Sequence, residues 1–201
     1  MYMPSQFRSD DVAIIESLIR HYNFATLISN KGTEQHISHL PFFLDAKAGV
    51  IQSFMDRANP QWQHFDSDRP MTAIFHGPQS YISPNWYALE GSNVPTWNFV
   101  AIHIRGIPRV VSDEEKALQI LEKLFAQHDP NWKSPEAGQR LLIDHAVFEI
   151  EALEIEAVLK LSQDREAEDF LYVCNKLLRS EQQSEREIGA LMQILLDRQK
   201  D

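Results

Sequence analysis

Apolar residues recur along the chain at helical spacing in some stretches and at strand-like spacing in others, and the changes of period divide it into elements. Ser9, Asp10 and Asp11 precede Val12, Ile15, Leu18 and Ile19, the pattern of a capped amphipathic helix with acids at the positive end of its dipole. Residues 24–29 then read as a short strand, closed by the turn signal Asn30-Lys31-Gly32-Thr33. A second strand covers residues 34–44. Residues 49–55 and 71–75 are further strands, and 96–111 predicts a long strand or a hairpin. Ser112-Asp113-Glu114-Glu115 has the form of a capping box, and apolar residues continue at helical spacing from Ala117 to Phe125. Ser134-Pro135 opens another helix, with Ser as cap and Pro at the first helical position. Residues 146–161 return to strand character, and the last forty residues read as two amphipathic helices. Five or six short strands with helices inserted late predict an α+β domain on an antiparallel sheet, with turn spacings that suit a small barrel.

Composition narrows the classes. Hydrophobic residues make up 43% and charged residues 24% of the 201 positions, values of an ordinary globular chain. The net charge is −10, concentrated in the second half, and no Lys/Arg run offers a phosphate backbone a basic patch. The single cysteine, Cys174, excludes an intramolecular disulfide, so a reducing cytoplasm is the simplest setting. Met1-Tyr2-Met3-Pro4 does not read as the start of a signal peptide, and no apolar run is long enough to span a bilayer. No Gly-x-Gly-x-x-Gly or Gly-x-x-x-x-Gly-Lys occurs among the seven glycines, which argues against a dinucleotide-binding α/β fold.

Aromatics and prolines crowd residues 59–99. Trp62, Phe65, Phe75, Tyr81, Trp86, Tyr87, Trp97 and Phe99 lie there with Pro60, Pro70, Pro78, Pro84 and Pro95. Such loops either plug the ends of a small barrel or present flat faces beside hydrogen-bonding groups to a planar, amphipathic ligand. The eight histidines form no ligand-spaced set. His36 and His39 fall on opposite faces of a strand, His64, His128 and His145 have no partners by spacing, and no zinc motif is present. His76 and His103, beside the aromatic motifs, are able to contact a flavin or a haem.

Five segments in order carry a resemblance: Arg57-Ala58-Asn59-Pro60-Gln61-Trp62, Phe75-His76-Gly77-Pro78, Tyr81-Ile82-Ser83-Pro84-Asn85-Trp86-Tyr87, Val94-Pro95-Thr96-Trp97-Asn98 and Lys160-Leu161-Ser162-Gln163. With Met1-Tyr2-x-Pro4-x-x-Phe7 and His39-Leu40-Pro41-Phe42, they resemble the PaiB-type family, described as FMN-binding negative transcriptional regulators. The resemblance implies a split β-barrel of the FMN-binding type over residues 1–165, with residues 166–201 as a C-terminal helical extension. It also implies a homodimer with two flavin sites at the subunit interface.

Under that resemblance Arg57 is the phosphate ligand, because a guanidinium matches phosphate bidentately, and Asn59 assists through its amide. Lys160 is a second phosphate candidate. Trp86 and Trp97 are candidates to flank the ring, with Tyr81 and Tyr87 supplying hydroxyls. Ser83 and Gln163 are assigned to the pyrimidine edge. Thr96 and Asn98 share one face of a strand and Trp97 takes the other, so if the polar pair reaches the flavin, Trp97 packs into the core or an interface. The chain departs from the family pattern at Ser53-Phe54-Met55-Asp56, where Gly-His-Met-Ala is expected, and at Asp164, where Asn is expected. A carboxylate added beside a phosphate costs affinity through like-charge repulsion.

A flavin-binding dimer is the leading functional reading. A flavin-dependent oxidoreductase using the same pocket and a haem-binding or haem-degrading split barrel are the alternatives. Direct DNA binding is disfavoured, because no basic recognition helix is evident and Ser180 to the C-terminus is acidic.

Overall fold

The computed structural model describes residues 1–65, 68–87, 94–131 and 135–198. Among the described residues, seven strands and five α-helices follow one another as α1 (Val12–His21), β1 (Phe24–Lys31), β2 (Glu34–Pro41), β3 (Phe43–Asp45), β4 (Val50–Asp56), β5 (Met71–Ile82), β6 (Thr96–Val110), α2 (Glu114–Ala126), α3 (Pro135–Asp144), β7 (His145–Lys160), α4 (Ala167–Leu178) and α5 (Gln183–Arg198). The strands form one open sheet in the order β2-β1-β5-β6-β7-β4-β3. The fold is α+β on an antiparallel sheet. The stretch read as one strand over 34–44 is two strands, interrupted at the fully buried Phe42. β5 runs on to Ile82 beyond the expected 71–75, and β6 is a single strand.

The chain divides into two compact units. One comprises Asp11–Phe75 and Ile102–Ile155, the other Met1–Asp10, His76–Ala101 and Glu156–Asp201. In the first unit, Asp11 rather than Ser9 caps α1, its carboxylate accepting from Ile14 N at 3.0 Å. Asp113 likewise caps α2, accepting from Lys116 N at 2.9 Å. Ser134, the expected cap of α3, lies outside the described residues. β1 and β2 pair from Phe24↔Pro41 to Lys31↔Glu34, so the turn is two residues long, with Gly32 at φ 62°. The core is aromatic. Phe42 meets Phe75 and Phe148 edge-on at 5.7 and 6.2 Å, and Phe65 lies 4.6 Å from Phe148. A second cluster sets Ala117, Ile120, Leu121 and Leu124 of α2 on Val147. Phe54, where the family pattern has histidine, packs there against Phe125 at 5.7 Å and His145 at 5.4 Å. β6 approaches β7 so closely that a Cβ at Gly106 would stand 2.0 Å from the carbonyl oxygen of Glu151.

In the second unit, α4 and α5 pack through buried Phe170, Val173, Cys174 and Leu177 on one side and Ile188 and Met192 on the other. Gly189 allows the approach, since a Cβ there would lie 2.9 Å from Leu178 N. Burial pushes the Cys174 thiol up from its ordinary value. Ser184 ties α5 to β5, its hydroxyl accepting from Gln79 N at 2.8 Å and donating to Gln79 O at 2.7 Å.

Candidate functional site

Arg57 follows directly on β4, its amide donating to Asp144 O at 2.8 Å. Its exposed guanidinium lies 5.3 Å from the centre of the Trp62 ring, and Trp62 Nε1 donates back to Arg57 O at 2.9 Å. The indole face attracts the guanidinium through its ring quadrupole. Trp62 was not singled out as a site residue from the sequence; its position five residues on in the same motif is the signal. Asp56 is exposed and accepts from Ala58 N at 2.7 Å, which fixes a carboxylate one residue from the guanidinium.

Asn59 has a defined structural task. Its Oδ1 accepts from Gln61 N at 3.0 Å, capping the short 3-10 turn Pro60–His64, and its Nδ2 donates to Ser38 Oγ at 2.8 Å. Ser38 in turn donates to Gln61 Oε1 at 2.6 Å, and Gln61 Nε2 donates to Ser29 Oγ at 2.9 Å. Gln61 is fully buried, so its amide needs these partners. The network pins the Arg57–Trp62 motif to β1 and β2. Beside it, His36 and His64 approach with ring centres 5.4 Å apart, a pairing that sequence spacing did not reveal. Burial, then the nearby Lys31 and His36, hold His64 below its ordinary value.

The remaining predicted residues belong to the other unit. Trp97 and Tyr81 are 53% and 43% exposed and meet edge-on at 5.9 Å. On either side of Trp97 along β6, Thr96 is half-buried and Asn98 fully buried. Trp97 thus takes the face opposite Asn98, as alternation requires, and that face is open in the single chain. Thr96 Oγ1 accepts a hydrogen bond from Lys160 Nζ, and the same ammonium stands 5.7 Å from the Phe7 ring centre. Asn98 Nδ2 donates to Ser162 Oγ at 2.9 Å and contacts Met192 Sδ at 3.9 Å. Ser162 is buried with φ 64°, a left-handed conformation unusual for a non-glycine residue. Gln163 accepts from Leu161 N at 2.6 Å and donates to Leu159 O, so its amide holds this turn. Ser83 caps the 3-10 turn Pro84–Trp86, accepting from Asn85 N at 3.2 Å. Trp86 lines a cleft with residues of α4. Tyr87 is buried, and the Arg165 guanidinium lies 4.6 Å from its ring centre. Burial raises the Tyr87 hydroxyl above its ordinary value.

Among the described residues no group of three His, Cys, Asp or Glu is placed to hold a metal, and no helix is long and apolar enough to cross a membrane. An open antiparallel sheet with late helices defines the class as α+β. Residues 1–158 match the family described as "Putative FMN-binding domain". The chain is also 30% identical to the Bacillus subtilis "Protease synthase and sporulation protein PAI 2", covering 99% of this chain and all of that one. It is 27% identical to the uncharacterised protein YKL070W of Saccharomyces cerevisiae, over 68% of this chain and 94% of that one. The chain belongs to this PaiB-type FMN-binding family, and the cofactor of the family is FMN. Among solved structures, the flavocytochrome Anf3 of Azotobacter vinelandii shares the fold with a TM-score of 0.63, at 12% identity over 82% of this chain and 75% of that one. The FAD and haem binding protein of Mycobacterium smegmatis does so with a TM-score of 0.64, at 11% identity over 82% and 78%.

Proposed function

We propose that the chain works as an FMN-binding homodimer, with Trp97, Tyr81, Thr96 and Lys160 of one unit as candidates to meet a flavin and, taken by itself, Arg57 of the other unit as a candidate to bind a phosphate. The carrying observation is the exposed Trp97–Tyr81 pair, next in the chain to a Thr96 whose hydroxyl is held by Lys160. A solvent-facing indole and phenol suit a planar isoalloxazine, and a threonine hydroxyl and an ammonium suit its polar edge. In the other unit, Arg57 has no carboxylate partner among the described residues, so its guanidinium is available to a phosphate dianion. These groups fit the chemistry of FMN. When bound, FMN supplies redox chemistry of its own, and the chain supplies binding and orientation. Asn98, Ser162 and Gln163 act behind the contact residues, holding the turn after β7 and the end of β6 in register.

The regulatory role attached to PaiB-type proteins is read here as indirect, through a partner rather than through DNA. A net charge of −10 disfavours phosphate-backbone affinity. One cysteine, buried, accords with residence in a reducing cytoplasm. The test is an FMN titration followed by absorbance, together with the molar mass by light scattering. Saturation at one flavin per chain in a particle of twice the chain mass is expected. A monomer, or the absence of saturable binding, overturns the proposal.

A further inference from the structure

Tyr172, Asn175, Lys176 and Arg179 stand at i, i+3, i+4 and i+7 along α4 and just beyond it, on one face of the helix. That face lines an open cleft of about 550 Å³, and Trp86, half-buried at the end of the Pro84–Trp86 turn, lines it as well. The volume falls within the roughly 300–1,000 Å³ of small-molecule sites. Tyr172 leaves 53% of its surface exposed. Lys176 and Arg179 form no ion pair among the described residues, in a chain whose acids outnumber its bases 29 to 19. Glu185, the carboxylate of the cleft, accepts a hydrogen bond from Ser180 Oγ at 2.5 Å. Arg186 is turned to the carbonyls of Ser180 and Glu181 at 2.8 and 2.6 Å. A basic residue near a helix C-terminus favours the helix dipole, which accounts for the charge of Lys176 and Arg179 but for neither aromatic.

The geometry points to a second binding site in this cleft for a small planar aromatic anion, distinct from the Trp97, Tyr81, Thr96 and Lys160 contacts proposed for the flavin, and it assigns Trp86 to this cleft instead of the flavin ring. The ring lies against Trp86 and Tyr172, and the anionic group is held by Lys176 and Arg179. Tryptophan and tyrosine offer stacking faces of low conformational cost, and an adjacent guanidinium and ammonium offer charge-assisted hydrogen bonds to either a phosphate or a carboxylate. The ligand chemistry thus has two sources, a nucleoside monophosphate or an aromatic carboxylate.

Calorimetric titration of the FMN-loaded full-length protein with AMP, 4-hydroxybenzoate and inorganic phosphate tests the site. Saturable binding of AMP or of 4-hydroxybenzoate is expected at one per chain, with flavin absorbance retained; the tighter of the two identifies the source. The double variant Lys176→Gln, Arg179→Gln and the variant Tyr172→Ala should each lower that affinity at least tenfold. Should the double variant fail to fold by circular dichroism, Arg179→Gln alone carries the same reading. No saturable binding at millimolar probe overturns the proposal, as do folded variants that bind unchanged. Inorganic phosphate binding as tightly as both organic probes would reduce the cleft to an anion patch. Displacement of FMN by the probes would make it part of the flavin site.

Discussion

Asn98 and Ser162 hold each other reciprocally: Asn98 Nδ2 donates to Ser162 Oγ at 2.9 Å, and the hydroxyl donates to Asn98 Oδ1 at 3.2 Å. Both are buried, and Ser162 keeps φ 64°. A left-handed L-residue costs roughly 1–2 kcal/mol, so the pair maintains a turn that the backbone alone disfavours. Ser162→Ala removes the hydroxyl and keeps the strain, whereas Ser162→Gly removes both. Urea unfolding should therefore show Ser162→Ala less stable than Ser162→Gly, with Asn98→Ala losing about 1–3 kcal/mol by leaving a buried polar group unpaired. Equal stability of the two Ser162 variants would show that the left-handed backbone at this position carries no cost.

Arg57 and Asp56 should move FMN affinity in opposite directions. Arg57→Ala removes an exposed cation, so FMN binding should weaken about 10–100-fold, the span of a charge-assisted hydrogen bond of about 1.5–3 kcal/mol. Thermal stability should hardly change. Asp56→Asn keeps an acceptor for Ala58 N and removes the charge beside the proposed phosphate, so binding should tighten. Flavin fluorescence titration at low and physiological salt measures both.

His64 gives the fold an acid-sensitive component. Its folded value lies below the ordinary 6.5, so the unfolded chain takes up the proton first as pH falls. That contribution is whole above about pH 6.5, declines as pH drops below the unfolded value, and levels off below the folded one. The approach of the His36 ring at 5.4 Å acts in the same direction, because a second cation beside it is disfavoured. His64→Gln should flatten the stability profile between neutral and mildly acid pH, measured by denaturant midpoints. An unchanged slope would assign that sensitivity to other groups.

Gly106→Ala should be among the most damaging single-methyl changes in the chain. The added Cβ would stand 2.0 Å from a backbone oxygen of β7 and 2.7 Å from Ile150 Cγ2. Neither strand is free to move in mid-sheet. A loss of more than about 3 kcal/mol is expected, at the severe end for point substitutions. Thermal unfolding, or loss of soluble protein, reads it.

Much of the fold was legible because periods were clean. β6 alternates over its 15 residues, and the bounds of β6 and of the 16-residue β7 lie close to the sequence reading. The helix caps were misplaced by one or two residues, since Asp11 and Asp113 each compete with a neighbouring serine for the same amides and only geometry chooses. The motif segments were legible, but the local hydrogen bonds of their polar residues were not. Asn59, Ser83 and Gln163 carry polar groups able to meet a ligand, and each is engaged in a local backbone hydrogen bond that its type and neighbours equally permit.

The sequence by itself determined the class. Alternating apolar positions and capped helices sufficed for an α+β domain on an antiparallel sheet, because these signals are local, and the split barrel of the FMN-binding type is what the resemblance carried by the ordered motifs implied. Tertiary structure alone decided which polar groups are occupied and which are open. Ser162 and Asn98 are 64 residues apart, Asn59 reaches Ser38 across 21 residues, and Trp86 meets α4 across a long stretch of chain. Contacts between residues far apart in the chain depend on the packed fold, and no spacing in the sequence records them.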